Sequence, residues 1–100
     1  MKAELLFRQK LTSVDGNLKE LAVWSVATDE KYPEGVRYRM AFIPYGRKQP
    51  TVLYDNHHPK GHHKHLHGKE SVYSFINVDV LIEDFEKDIA SAKRKKRSSK

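Results

Sequence analysis

The chain opens on a two-residue rhythm. In "KAELLFRQKLTS" the residues Ala3, Leu5, Phe7 and Leu11 fall on one side and Glu4, Arg8 and Lys10 on the other, with Leu6 out of phase. Alternation of this kind predicts a β-strand. "VDGN", residues 14–17, carries the Asp-Gly signal of a hairpin turn. "LKELAVWSVA", 18–27, is apolar on both sides at Leu21, Ala22, Val23, Trp24 and Val26, which predicts a more central strand. A helix competes over 18–23, but Val23, Trp24 and Val26 favour the strand. After the polar loop "TDEKYPEG", a third strand follows over "VRYRMAFIPY", 36–45. Tyr38, Met40 and Phe42 share one side; Arg37, Arg39, Ala41 and Ile43 share the other. "TVLYD", 51–55, reads as a short fourth strand and "SVYSFI", 71–76, as a fifth.

The period then changes. In "NVDVLIEDFEKDIASAK", 77–93, the apolar residues Val78, Leu81, Ile82, Phe85, Ile89 and Ala92 recur at three- and four-residue intervals. That stripe predicts an amphipathic helix. Asn77 is placed to cap it, and Asp79 in its first turn suits the helix dipole. The fold expected is α+β: an antiparallel meander of four to five strands packed against one C-terminal helix. A single domain would span 1–92, with 93–100 as a basic, disordered tail.

Charge refines this picture. The chain carries +6 at neutral pH, a sign that favours an acidic partner such as nucleic acid. Six of its basic groups lie in "KRKKRSSK", 93–100, so the domain proper is close to neutral. Its basic residues therefore matter by position, and Arg8, Lys10, Arg37 and Arg39 fall on outward sides of their strands. No cysteine is present, which excludes disulfides, thiolate metal sites and cysteine nucleophiles. No apolar run is long enough to span a membrane, and a cytoplasmic location is expected.

All six histidines fall within "NHHPKGHHKHLHGKE", 56–70. If 62–67 is extended, His63, His65 and His67 point one way, and His62, Lys64 and Leu66 the other. Four readings compete. The first is a metal site for zinc, nickel or copper, with His63 and His65 as ligands beside Asp55 or Glu70. The second is acid–base cleavage of RNA without a cofactor. One imidazole would take the 2′-hydroxyl proton and another would protonate the leaving oxygen. Lys60 or Lys64 would offset phosphate charge, Asp55 or Glu70 would orient an imidazole, and Tyr54 or Tyr73 could assist. The third is recognition alone, with His, Lys and Tyr holding phosphates without chemistry; Arg37, Arg39, Lys64 and Lys69 are the candidate nucleic-acid contacts. The fourth is a solvated loop whose histidines do nothing further.

The ordered run Tyr54, Asp55, Asn56; Lys60, Gly61, His63, His65; Gly68, Glu70; Tyr73, Phe75; Asp84, Phe85 resembles the TumE family of small prokaryotic toxins. "AELLFRQKL", Trp24 and "YRMAF" extend the likeness across residues 1–90. One departure is His62, where the family pattern often has an acidic residue, and this counts against a carboxylate-rich metal site. The resemblance implies a toxin of a toxin–antitoxin pair and a helix-turn-helix antitoxin as partner; ribonuclease activity on RNA is a common expectation for toxins this small. An exposed sheet edge would also allow a homodimer.

Each marked residue has a plainer reading. Tyr73 and Phe75 suit a core, and Trp24 a core or an interface. Asp55 and Asn56 suit the turn out of strand four. Glu70 suits a surface pair with Lys60 or Lys69. Asp84 suits a solvated or antitoxin-facing position on the helix.

Overall fold

The computed structural model describes residues 3–98. Six strands form one antiparallel sheet in chain order: β1 (Glu4–Thr12), β2 (Leu18–Ser25), β3 (Val36–Ile43), β4 (Val52–Asp55), β5 (His63–Leu66) and β6 (Lys69–Val72). A single helix, α1 (Val78–Ser98), follows and packs on the sheet. The α+β meander matches the expectation, with six strands instead of four to five.

The difference lies in the last third of the sheet. The fifth strand expected over 71–76 is replaced by the hairpin β5–β6 over 63–72. Tyr73 and Phe75 mimic strand alternation, but both lie past the end of β6 and pack against the core. β5 lacks apolar alternation and is placed instead by pairing with β4, Val52 opposite Leu66 and Asp55 opposite His63.

Register sorts the residues onto two sides, because directly opposed residues in antiparallel strands share a face. One side carries Val23 opposite Tyr38, Leu21 opposite Met40, and Met40 in turn opposite Tyr54. The helix covers this side. Leu81, Phe85, Ile89 and Ala92 join Leu21, Val23, Tyr38, Met40, Phe42, Val52 and Tyr54 in one buried cluster. Full burial of a side chain such as Phe85 contributes about 1.5–3 kcal/mol. The helix starts as its sequence implies: the Val80 amide donates to Asn77 Oδ1 at 2.8 Å. It also continues past Ala92 to Ser98, taking in most of the basic stretch expected as a tail; Ser99 and Lys100 lie outside the described residues.

β1 corrects a second expectation. Leu5 opposes Trp24 whereas Phe7 opposes Val23, so a bulge at Leu6 puts Leu5 and Phe7 on opposite sides. The out-of-phase leucine is the bulged residue. Leu5, Leu6, Phe7 and Leu11 stay exposed on this edge strand.

The other side of the sheet carries no helix. Its rows run across the strands from Arg8 through Ala22, Arg39 and Asp55 to His63, and from Lys10 through Glu20, Ala41 and Leu53 to His65 and Glu70.

Candidate active site

The open side brings His63 and His65 together. Their two-residue spacing on β5 sets both imidazoles on one face, with ring centroids 5.3 Å apart in an edge-on arrangement. His67 does not join them. It occupies the β5–β6 turn with φ 52°, followed by Gly68 at φ 82°, and two such residues in succession are what a tight hairpin demands.

The two imidazoles differ in what surrounds them. His63 is 8% exposed, and its Nδ1 lies 2.8 Å from the Gly61 carbonyl oxygen. A carbonyl can only accept, so Nδ1–H donates. In the neutral ring the lone pair then resides on Nε2. The anchor depends on Gly61, whose φ of 74° lies in the left-handed region that glycine occupies without steric cost. His65 Nε2 lies 3.7 Å from Glu70 Oε1, its direct cross-strand neighbour. The same oxygen accepts a 2.8 Å hydrogen bond from Lys60 Nζ. That bond above all, with the nearby cations, holds the Glu70 carboxyl below its usual value.

Asp55 sits between Arg39 and His63 in register. Among the described residues it makes no ion pair with either imidazole. Its Oδ1 instead accepts from the His57 amide at 2.6 Å, shaping the exit from β4. Arg37 and Arg39 project from the same open side, and the Arg37 guanidinium lies 5.5 Å above the Trp24 ring.

Three other expected site residues are elsewhere. Lys64 and Lys69 occupy the helix-facing side. Lys64 Nζ lies 3.2 Å from Asp88. Tyr54 is fully buried and its hydroxyl donates to Asp88. Burial first, then that carboxylate, pushes the Tyr54 hydroxyl well above its ordinary range, so it stays protonated near neutrality. Tyr73 behaves alike, donating to Asp84 at 2.7 Å. Asp84 is thus half-buried and bonded rather than solvated.

Two further residues have roles that spacing did not reveal. His62 is held at both nitrogens: the Tyr38 hydroxyl donates to Nδ1 at 2.8 Å and Nε2–H donates to Glu34 at 2.9 Å. Its ring stacks on Phe75 with centroids 4.7 Å apart. Asn56 is buried and bridges the backbone of β3. Its Oδ1 accepts from the Tyr38 amide at 2.8 Å and its Nδ2 donates to the Val36 carbonyl at 2.9 Å. The side chain thereby extends the β3–β4 ladder by one rung. The polarity of Asn56 pointed to a turn; only the register could show the rung.

A metal could also use this place. One ligand atom each from His63, His65 and Glu70 lie within 4.8 Å of one another. Two imidazoles and a carboxylate suit a borderline cation such as Zn2+. Lys60, already bonded to that carboxylate, opposes it.

A family model described as "Toxin TumE" matches residues 2–93. The chain belongs to the TumE toxin family. The match takes in every residue of the open-side rows, and membership of a toxin family implies a neutralising antitoxin partner. Neither the search of curated proteins nor that of solved structures yields a match. Among the described residues, no helix is long and apolar enough to cross a membrane.

Proposed function

We propose that this TumE-family chain is an endoribonuclease that cleaves RNA by general acid–base catalysis at His63 and His65, without a metal. The observation that carries the reading is the pair itself: two imidazoles, 5.3 Å apart, on the side of the sheet the helix leaves open, His63 hydrogen-bonded to the Gly61 carbonyl and His65 3.7 Å from the Glu70 carboxylate.

These different surroundings divide the work. His63, with Nδ1–H tied to Gly61, presents the Nε2 lone pair and takes the 2′-hydroxyl proton. O2′ attacks phosphorus, and the bond to the 5′-oxygen breaks. His65 gives that oxygen its proton, with Glu70 as the counter-ion a protonated His65 meets at 3.7 Å. The products are a 2′,3′-cyclic phosphate and a 5′-hydroxyl, so no water or cofactor enters the first step. Lys60 acts through Glu70, and Arg39 is the cation facing the phosphate on the His63 row. Lys64 and Tyr54, on the other side, take no part. Paired acid and base groups of this kind contribute about 10²- to 10⁴-fold each.

The partner in this reading is a helix-turn-helix antitoxin. The exposed apolar edge of β1 offers surface for it, or for a second copy of the chain. Expression in cells tests the toxin role. Growth arrest by the native chain and its loss in both His63→Ala and His65→Ala are expected. Arrest by both folded variants at native level would refute the assignment.

A second reading is favoured by one observation, the His63–His65–Glu70 ligand set, and makes the place a zinc-binding centre. Metal that binds only the folded state raises its stability. A zinc-dependent rise in melting temperature, lost in His63→Ala, would support it.

A further inference from the structure

The open side holds a second feature, remote from the imidazoles. A groove of about 210 Å³ is lined by Arg8, Gln9, Glu20, Leu21, Ala22, Trp24 and Arg39. Its origin is in the register. Arg8 and Arg39 oppose Ala22 from its two sides, and the small alanine leaves a trough between two guanidinium-bearing residues. Among the described residues neither Arg8 nor Arg39 belongs to an ion pair. Glu20, the carboxylate in the lining, stands opposite Lys10 in register.

The groove is aligned with the imidazole pair. Arg39 and Arg8 stand on the His63 row, separated from His63 by two and four strand spacings, or ~10 and ~19 Å. Guanidinium groups grip phosphate through paired N–H donors and remain charged at any working pH. Trp24 adds an aromatic ring, one face of it under the Arg37 guanidinium, and bases stack on the faces of such rings without regard to sequence. A sheet face that the helix leaves free, bearing an aromatic ring and backbone-tracking cations, suits an unpaired strand, whose bases are free to splay; a paired helix keeps its bases inside.

Resting on the ribonuclease reading, we infer that the Arg8–Trp24–Arg39 groove is a subsite for single-stranded RNA, seating one phosphate on the arginines and one base on the indole, upstream or downstream of the bond cleaved between His63 and His65. The substrate lies across the strands along the His63 row, from β5 to β1.

Binding of a 2′-O-methyl RNA oligonucleotide tests this, since that probe lacks the nucleophile and cannot be cleaved. Anisotropy would be measured against salt for the native chain, Arg8→Gln, Arg39→Gln and Trp24→Ala, with far-ultraviolet circular dichroism to check folding. Each arginine variant should flatten the log–log salt slope by part of about 0.7, the value for one phosphate of a single strand, and the double Arg8→Gln/Arg39→Gln variant by the whole of it. Trp24→Ala should weaken binding by about five- to hundredfold, the range of one stacked base. Because Trp24 could also unsettle β2, quenching of its fluorescence by the oligonucleotide in the native chain is the second measure. Native affinity and slope in both arginine variants, or equal affinity for a duplex, would overturn the subsite. Loss of binding in these variants with no cleavage of natural RNA by the native chain would uphold the subsite and refute the acid–base reading. Cleavage at the native rate by Arg8→Gln, with its affinity and salt slope unchanged, would do the reverse.

Discussion

Asn56→Ala is the perturbation whose cost follows most directly from the fold. The side chain is 2% exposed and makes two bonds to β3, one from the Tyr38 amide and one to the Val36 carbonyl. Alanine can make neither. The Tyr38 amide is buried, and a buried donor left unpaired costs about 1–3 kcal/mol. The Val36 carbonyl is only part-buried, so its loss falls at the low end, about 1 kcal/mol. Together these give about 2–4 kcal/mol. In a domain of this size each kcal/mol moves the melting temperature by about 4–8 °C, so a drop of roughly 8–32 °C is expected. Urea unfolding should show a lower midpoint at an unchanged slope, because the exposed surface hardly alters. Asn17→Ala is the control: its side chain also accepts a backbone amide, from Tyr45, but at an exposed turn, where about 0.5 kcal/mol is expected. The variant should also lose activity beyond its loss of folded protein, since Asn56 starts the segment that ends in the Gly61 carbonyl under His63. A melting temperature within about 2 °C of the native one would refute the rung.

Other outcomes follow from the same geometry. Phe85→Ala, which empties the centre of the helix–sheet contact, should cost about 3–5 kcal/mol by urea unfolding. Tyr54→Phe should lower stability by about 1–2 kcal/mol through its lost bond to Asp88, while RNA cleavage by the remaining folded protein stays at the native level. The hydroxyls of Tyr38, Tyr54 and Tyr73 are all raised, chiefly by burial. For groups raised on folding, the stabilisation is complete below the unfolded value near pH ~10 and declines as pH rises beyond it. Absorbance at alkaline pH should therefore show these three ionising together with unfolding, not before it. Glu70 is lowered, so the contribution from its pairing is present above the unfolded value near ~4.3 and fades as pH falls toward the folded one. A carboxyl-carbon titration should move Glu70 back up in Lys60→Gln.

β2 and β3 were legible because burial there largely follows alternation, whereas β1 is exposed along nearly its whole length and shows only the polar–apolar rhythm. Tyr38, Met40 and Phe42 point to the core and Arg37 and Arg39 to solvent, as a two-residue period requires. The helix was legible for the same reason at its own period. β5 and β6 were not. "HKHL" has no apolar alternation, and "VYSF" has one that belongs to core packing after the strand ends. The hairpin is specified by pairing with β4 and by the positive-φ turn at His67–Gly68, which are long-range and conformational facts. For the site, spacing alone paired His63 with His65. The different surroundings on which the proposed base and acid roles rest, the Gly61 carbonyl at His63 and Glu70 near His65, are set beside them by the turn and by β6. The removal of Tyr54 and Lys64 from the site follows from the same period: both alternate with His63 and His65 across the sheet, so a face that holds one pair excludes the other. The bulge at Leu6 carried a sequence signal, the out-of-phase leucine, whose consequence for Leu5 and Phe7 only the register with Trp24 and Val23 makes plain.

The most direct test of the catalytic assignment is the chemistry of the cut ends. Chelator-treated protein would be incubated with a mixed RNA beside the His63→Ala/His65→Ala double variant, and the product termini identified. Cleavage by the native chain alone, leaving 2′,3′-cyclic phosphates and 5′-hydroxyls, is the predicted result. Equal cleavage by the double variant, or cleavage that appears only when zinc or manganese is restored, would contradict it.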